Sequence, residues 1–451
     1  MNEILLLAGI GFAILLLLFL VLKLKIHAFL SLLIVSIVVG IVTGMDFSKI
    51  MKSMQDGMGN TLGFVATVVG LGAIFGQMLE ASGGAQTIAK SLLKHFGEKR
   101  ASWALVLTGF IVAIPVFFDV GLIILIPIIY ELTKQAKRSI LYYAIPLLAG
   151  LVVTHAFIPP TPGPVAVAEI LDVQLGWIII MGFIVGIPTA IIAGPVFGRY
   201  ISGKIKLGAP DYFADAPVDQ EQEGLPSFRT IILIILLPLL LIVASSVAEV
   251  LFDKGLLQNE SVYQIVRLLG HPFTALILST LLAMYVLGIR RGFKKDELMQ
   301  LANKALGPAG LIILVTGAGG VFKQILIDSG VGDMLAEQLA NSAMPPIVLA
   351  FIIAAVVRVV QGSATVSMIT AAGIMAPLIG LFDLGQADKA LLVLAIAAGS
   401  TILSHVNDSG FWLVGKYLGM DEKQTLRSWT VMETIVSLVG FSLVLLLSYF
   451  V

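Results

Sequence analysis

Apolar residues in this chain come in long blocks, of which 4–22, 26–44 and 231–250 are the clearest. A block of about 18 to 22 residues spans a hydrocarbon core of roughly 30 Å as a helix. In lipid every backbone N–H and C=O must be satisfied within its own segment, so the blocks are expected to be helical. Composition agrees, because 58% of the 451 residues are hydrophobic and only 12% are charged, whereas a soluble chain carries about 25%. The chain has no cysteine, which excludes disulfides, thiolate chemistry and cysteine-bound metal. Formal net charge is zero and the basic residues gather at block ends, so no basic face is offered to nucleic acid. The first block follows Asn2 and Glu3 rather than a basic lead, and no small-residue cleavage site precedes Lys23 and Lys25. It is expected to be a retained first helix rather than a signal.

Loop charge sets an orientation, since Lys and Arg favour the cytoplasmic side. Lys23 and Lys25, then Lys90, Lys94, Lys99 and Arg100, then Arg290, Arg291, Lys294 and Lys295 read as inside. The balanced loop of Asp46, Lys49, Lys52 and Asp56, and the acidic stretch of Asp328, Asp333 and Glu337, read as outside. Both termini then fall outside. The loop 201–229, with Pro210, Pro217, Pro226 and an acidic run at 215–223, becomes a cytoplasmic linker between two halves.

The halves echo each other. Gly70, Gly72, Phe75, Gln77, Leu79, Ser82 and Gly83 match Gly317, Gly319, Phe322, Gln324, Leu326, Ser329 and Gly330 at a constant offset of 247. Ala149-Gly150 through His155 echoes Ala398-Gly399 through His405. By loop charge the matched segments run in opposite senses, as an inverted-topology repeat requires. The stretch 102–130 lies between two inside loops and is too long for one span and too short for two. A re-entrant hairpin turning near Ile114-Pro115-Val116-Phe117-Phe118-Asp119 resolves that length. Its counterpart at 346–380 turns near Arg358, Gln361, Gly362, Ser363 and Thr365. After each hairpin comes a span with an unhelical middle: Pro159, Pro160, Pro162 and Pro164 interrupt one, and Ser404-His405-Val406-Asn407-Asp408-Ser409-Gly410 the other.

The expected fold is thus an all-α polytopic membrane protein of two inverted-topology repeats, each with a re-entrant helical hairpin and a broken transmembrane helix. Residues 1–200 would hold spans 4–22, 26–44 and 61–81, hairpin 102–130, broken helix 139–171 and span 173–195. Residues 230–451 would hold spans 231–250, 271–289 and 305–326, hairpin 346–380, broken helix 390–418 and span 430–450.

Half-helix N-termini present unpaired N–H groups and a positive dipole end, which suit a carboxylate without a metal or cofactor. Asp119, among Phe117, Phe118 and Val120, is penalised for holding charge away from water and is a candidate proton carrier; the alternative is a cap on hairpin N–H groups. Arg358 is the arginine inside an apolar stretch of the second half, and its fork can grip a carboxylate or a buried acid such as Asp119. His405, Asp408, Asn407, Ser404 and Ser409 are candidate substrate or proton contacts, or a structural turn. Thr154, His155, Thr161 and Gly163 are the first-half equivalents, and Gln361, Gly362, Ser363 and Thr365 form a polar hairpin tip. Gln77 and Gln324 are expected to bond across helices, while Glu169, Asp172 and Asp383 are expected at segment ends in water. The glycine runs lack a preceding strand and a phosphate-binding Lys-Ser. They fit close helix packing, and no ATP-binding motif appears.

The segments Ile114-Pro-Val-Phe-Phe-Asp119-Val-Gly121, Thr154-His-Ala-Phe-Ile-Pro-Pro-Thr-Pro-Gly-Pro164 and Ser404-His-Val-Asn-Asp-Ser-Gly-Phe411 resemble those of the bacterial gluconate permease family, within the ion-transporter superfamily. That resemblance covers nearly the whole chain. It implies an inner-membrane symporter taking up gluconate or a related sugar acid with protons by alternating access; some members carry idonate, glycerate or D-serine. It also lends functional weight to Asp119, His155, Thr161, Arg358, Ser363, Asn407 and Asp408. A homodimer through segments 4–44 and 231–289 is the assembly that the architecture suggests by analogy. A sodium-coupled carboxylate symporter is the nearest rival, with a channel or a membrane enzyme further off.

Overall fold

The computed structural model describes residues 16–17, 19–136, 138–210, 224–330, 344–379, 382 and 384–451. Most of the expected span 4–22, the acidic run at 215–223, Asp333, Glu337 and Asp383 lie outside the described residues. No strand occurs among those described. The first half contains α1 (Ala28–Val42), α2 (Phe47–Ala81), α3 (Gly84–Phe96), α4 (Ala101–Val112), α5 (Phe118–Ala136), α6 (Leu141–Phe157), α7 (Pro162–Leu171) and α8 (Leu175–Ile191), which a π turn joins to α9 (Phe197–Lys204). The second half contains α10 (Phe228–Asp253), α11 (Glu260–Gly270), α12 (Pro272–Ala283), α13 (Lys295–Asp328), α14 (Pro346–Gln361), α15 (Ala364–Ile379), α16 (Gln386–Gly399), α17 (Ser409–Leu418), α18 (Glu422–Thr425) and α19 (Val431–Leu447).

Seven helical stretches among the described residues are long and apolar enough to cross a membrane: Phe47–Ala81, Leu141–Leu171, Leu175–Lys204, Phe228–Asp253, Pro272–Arg291, Lys295–Asp328 and Glu422–Leu447. Ala28–Val42, Pro346–Gln361 and Ala364–Ile379 are shorter and also apolar. The protein is a multi-pass membrane protein. Large apolar side chains such as Leu233, Leu240, Leu281, Leu438 and Leu446 lie exposed on outer helices, where lipid is the natural solvent.

Two differences from the expected spans have a physical origin. Helices α2 and α13 extend well before the apolar windows at 61–81 and 305–326. They pack against each other; the polar start of α2 is tied to the C-terminal end of α13, Ser53 donating to the Asp328 carboxylate at 2.5 Å and Lys49 to the Asp328 carbonyl at 2.8 Å, while the start of α13 is capped by Glu297, which accepts from the Lys294 N–H at 2.8 Å. An apolar window does not register such contacts. Helix α3 is also additional, burying Ala85, Ile88, Ala89 and Leu92 while Lys90 and Lys94 face away; its one-sided stripe is a surface-helix pattern too short for a span.

The Leu141–Leu171 stretch is the most enclosed of the seven, with α6 packed by α4, α5 and α8. Helix α16 is similarly wrapped, by α14, α19 and α8. These two buried helices carry the chain into its two breaks.

Candidate functional site

Hairpin α4–α5 turns through 113–117, where Pro115 has no N–H to continue a helix. The turn is seated on α2 at Gly76, where an added Cβ would lie 2.0 Å from the Pro115 carbonyl oxygen. Asp119 falls in the first turn of α5, the end at which a helix dipole favours an acid. Its carboxyl is exposed to the adjoining cavity and receives no hydrogen bond from a described residue.

Hairpin α14–α15 turns on two residues, Gly362 and Ser363. Gly362 has φ +86° and its N–H closes α14 onto the Arg358 carbonyl at 2.8 Å, a glycine C-cap. A Cβ there would meet the Asn407 carbonyl oxygen at 2.3 Å, so this tip lies directly against the second broken helix. Asn407 answers by donating to the Val359 and Val360 carbonyls at 3.0 and 3.3 Å.

The first broken helix stops at Phe157 and resumes at Pro162, with Thr161 as N-cap and proline at the first helical position, where its missing donor costs nothing. The Pro159–Pro160 bond is cis. The second stops at Gly399 and resumes at Ser409, capped by Asp408, whose Oδ1 accepts from the Gly410 N–H at 3.0 Å.

A cavity of about 730 Å³ lies beside these interruptions, reached by Phe117 of the first tip, Gly362 and Ser363 of the second, Thr401, Asn407 and Asp408 of the second break, and His155 and Gly163 flanking the first. Asp119, His155, Gly163, Arg358, Gln361, Gly362, Ser363, Thr365, Asn407, Asp408 and Ser409 line it. Thr154, Thr161, Ser404 and His405 do not. Thr154 donates to the Phe110 carbonyl at 2.9 Å, joining α6 to the first hairpin, and Thr161 donates to the Ile158 carbonyl at 2.6 Å. His405 bonds the Val359 carbonyl at 2.9 Å through Nε2. Ser404 accepts from the Trp429 indole at 2.7 Å and donates to Asp408. All four thus hold the frame on which the lining residues sit.

The charged centre is Arg358, whose side chain is 2% exposed. One terminal nitrogen donates to the Gly362 carbonyl. The other lies 2.6 Å from Asp408 Oδ2 and 3.8 Å from Glu433 Oε2. Nε is buried without a partner among the described residues. The acid in closest contact with Arg358 is therefore the partly buried Asp408, not Asp119, with the buried Glu433 next to it. Removing one member of such a pair leaves an uncompensated charge and costs about 3–5 kcal/mol.

Gln77 and Gln324 do not bond across helices. Each donates to an acid on its own helix, Glu80 and Asp328, both at 3.0 Å, because those acids are one turn away and cost no separate ordering. Asp172 is exposed, while Glu169 is half-buried beside a separate cavity of about 340 Å³. Among the described residues no three His, Cys, Asp or Glu side chains form a metal-binding group.

The profile of the GntP family permeases matches residues 4–450. The chain belongs to that family. It is a transporter and not an enzyme. Among its relatives, the low-affinity gluconate transporter of Escherichia coli (strain K12) is 43% identical over 436 residues, covering 97% of this chain and 96% of the relative. The gluconate permease of Bacillus subtilis (strain 168) is 40% identical, with 97% and 98% coverage. The Gnt-II system L-idonate transporter of E. coli K12 is 38% identical, with 94% and 95% coverage. The YdaH transporter of Alcanivorax borkumensis superposes with a TM-score of 0.59 over 90% of each chain at 16% identity, a likeness of fold alone.

Sequence reasoning about this GntP permease missed Trp429 and Glu433, which line the same cavity. Glu433 was findable, being an acid near the start of an otherwise uncharged 17-residue apolar helix; an ionisable group inside a span marks function by default. The cavity wall contributed by Gly307, Pro308, Leu311 and Ile312 of α13 had no polar signal to announce it.

Proposed function

We propose that this permease takes up gluconate, or a closely related sugar acid, together with protons by alternating access. The observation that carries the reading is a buried guanidinium, Arg358, on a cavity whose lining also offers hydroxyl and amide side chains, Ser363, Thr365, Ser409, Asn407 and Gln361, beside the carboxyls Asp119, Asp408 and Glu433. A fork-shaped cation suits a carboxylate, and neutral donors and acceptors suit a polyhydroxy tail. The names borne by relatives at about 40% identity agree with this, and L-idonate stands as the nearest alternative because one relative bears that name.

An anion entering a negative-inside cell climbs about 2.3 kcal/mol per charge per 100 mV. A proton carried with it cancels that cost. Asp119, facing the cavity without a hydrogen-bond partner among the described residues, is the group we assign to carry one. The two hairpins and breaks are read as the moving core of two inverted repeats meeting at 201–229. We read those basic loops as cytoplasmic and both termini as outside, in a bacterial inner membrane, because Lys and Arg favour the cytoplasmic side. Two copies are expected to pair through outer helices such as α10 and α12, which carry exposed apolar side chains.

The test is uptake of labelled D-gluconate by proteoliposomes under an inward proton gradient. Accumulation competed by unlabelled gluconate and collapsed by a protonophore is expected. Accumulation that survives the protonophore and requires sodium would replace the proton with sodium, and no gluconate uptake by vesicles that accumulate L-idonate would change the substrate.

A further inference from the structure

Glu433 is buried at the start of α19, 4% exposed, and lines the cavity. Its carboxyl receives no hydrogen bond from a described residue, and the cation beside it is Arg358, at 3.8 Å. Arg358 already serves Gly362 and Asp408. The groups of either sign lining the cavity with Glu433 are Arg358, Asp408 and Asp119, with His155 as the remaining titratable side chain. Of the helices packed on α19, α8 has no titratable side chain, α6 offers His155 to the cavity, and Asp388 and Lys389 of α16 lie in its first turn and do not line it.

Two carboxyl groups, Asp408 and Glu433, therefore share one guanidinium, and with Asp119 three carboxyls line a cavity holding that one guanidinium, so the fully ionised cavity is net negative before an anion enters. A carboxylate ligand gripping Arg358 draws on the same positive charge that covers Glu433. In a low-dielectric site that loss is not screened by water, and a proton is the small cation that restores balance.

We propose that Glu433 is a second proton-carrying carboxyl, tied to substrate binding through Arg358. A proton joins a Glu433 carboxylate oxygen as the anion binds from outside, and leaves to the cytoplasm once the anion departs and Arg358 returns to Asp408 and Glu433. Glu433 is a positioning and coupling residue that acts through Arg358, not a substrate contact. The inference rests on the cavity being the anion site of a proton symporter.

Proton uptake per bound gluconate can be counted by titration calorimetry of the full chain in two buffers of different ionisation enthalpy, across pH. The wild-type chain is expected to take up protons on binding D-gluconate. Glu433→Gln should bind it with a proton number lower by up to one, and Glu433→Asp should restore the uptake with its pH dependence displaced. An unchanged proton number in Glu433→Gln overturns the inference. If that variant fails to bind, Glu433→Asp decides: a displaced pH dependence supports the inference, and a curve superimposed on wild type overturns it. Failure of the underlying reading is visible in the wild type alone, as no gluconate binding or as binding without proton uptake, and the inference falls with it.

Discussion

The two hairpin tips face one cavity but are built from opposite materials. The tip at 113–117 and its neighbouring break at 158–161 are apolar and proline-rich, held by proline geometry and by a close seat on Gly76. The tip at Gly362-Ser363 and the break at 400–408 are polar, held by Arg358, Asp408, Ser404, Asn407 and His405 bonded to one another or to hairpin carbonyls. The first half thus supplies a stiff wall carrying two titratable groups, Asp119 and His155. The second supplies a charged clamp whose bonds a ligand can compete for. Two hairpins and two breaks of similar outline thus carry different chemistry.

The largest expected effect is on the clamp. Arg358→Ala should weaken gluconate binding by about 100- to 1,000-fold, the equivalent of about 3–4 kcal/mol, measured by calorimetry, and Arg358→Lys should recover only part because it lacks the fork. If Arg358→Ala binds like wild type, the contrast between the halves is structural only. Asp119→Asn should keep gluconate binding and counterflow but lower the accumulation driven by a pH gradient in proteoliposomes, leaving the share coupled through Glu433 and separating the wall's role from the clamp's. Accumulation equal to wild type would return Asp119 to a capping role.

A smaller, structural contrast lies in the glycines. Gly362→Ala must hold a left-handed backbone, at about 1–2 kcal/mol, and also meets Asn407 backbone atoms, so it should lower the detergent melting temperature and gluconate affinity together. Gly163→Ala meets the Met368 sulfur at 2.6 Å, a flexible side chain that can give way, and should cost less on both measures. The smallest effect expected is for Thr154→Val, which loses the bond to Phe110 outside the cavity: about 1 kcal/mol of stability, with gluconate affinity unchanged.

Much of this was legible in the chain. Long apolar blocks announced the helices, and four closely spaced prolines announced the break at 158–161, because proline acts locally and leaves no choice. Arg358 and Asp408 stood out as charges in apolar surroundings, yet their mutual pairing did not, since 50 residues separate them and only the fold brings them together. Local spacing misled for Gln77 and Gln324, whose matched positions suggested a bridge when an acid one turn along each helix offered a nearer partner. The division of the candidate residues into those facing the cavity and those bracing it, as with His405 and Asn407, depends on side-chain direction at a helix break, for which neither period 3.6 nor period 2 applies.

The most direct test of the central claim is a cryo-electron microscopy map of the full chain in lipid nanodiscs with gluconate bound. The account predicts the gluconate carboxylate within about 3 Å of the Arg358 guanidinium, between Gly362-Ser363 and the 400–408 break, with its hydroxyls toward Ser363, Thr365 and Asn407. Gluconate seated against the 113–117 tip with no contact to Arg358 would contradict it.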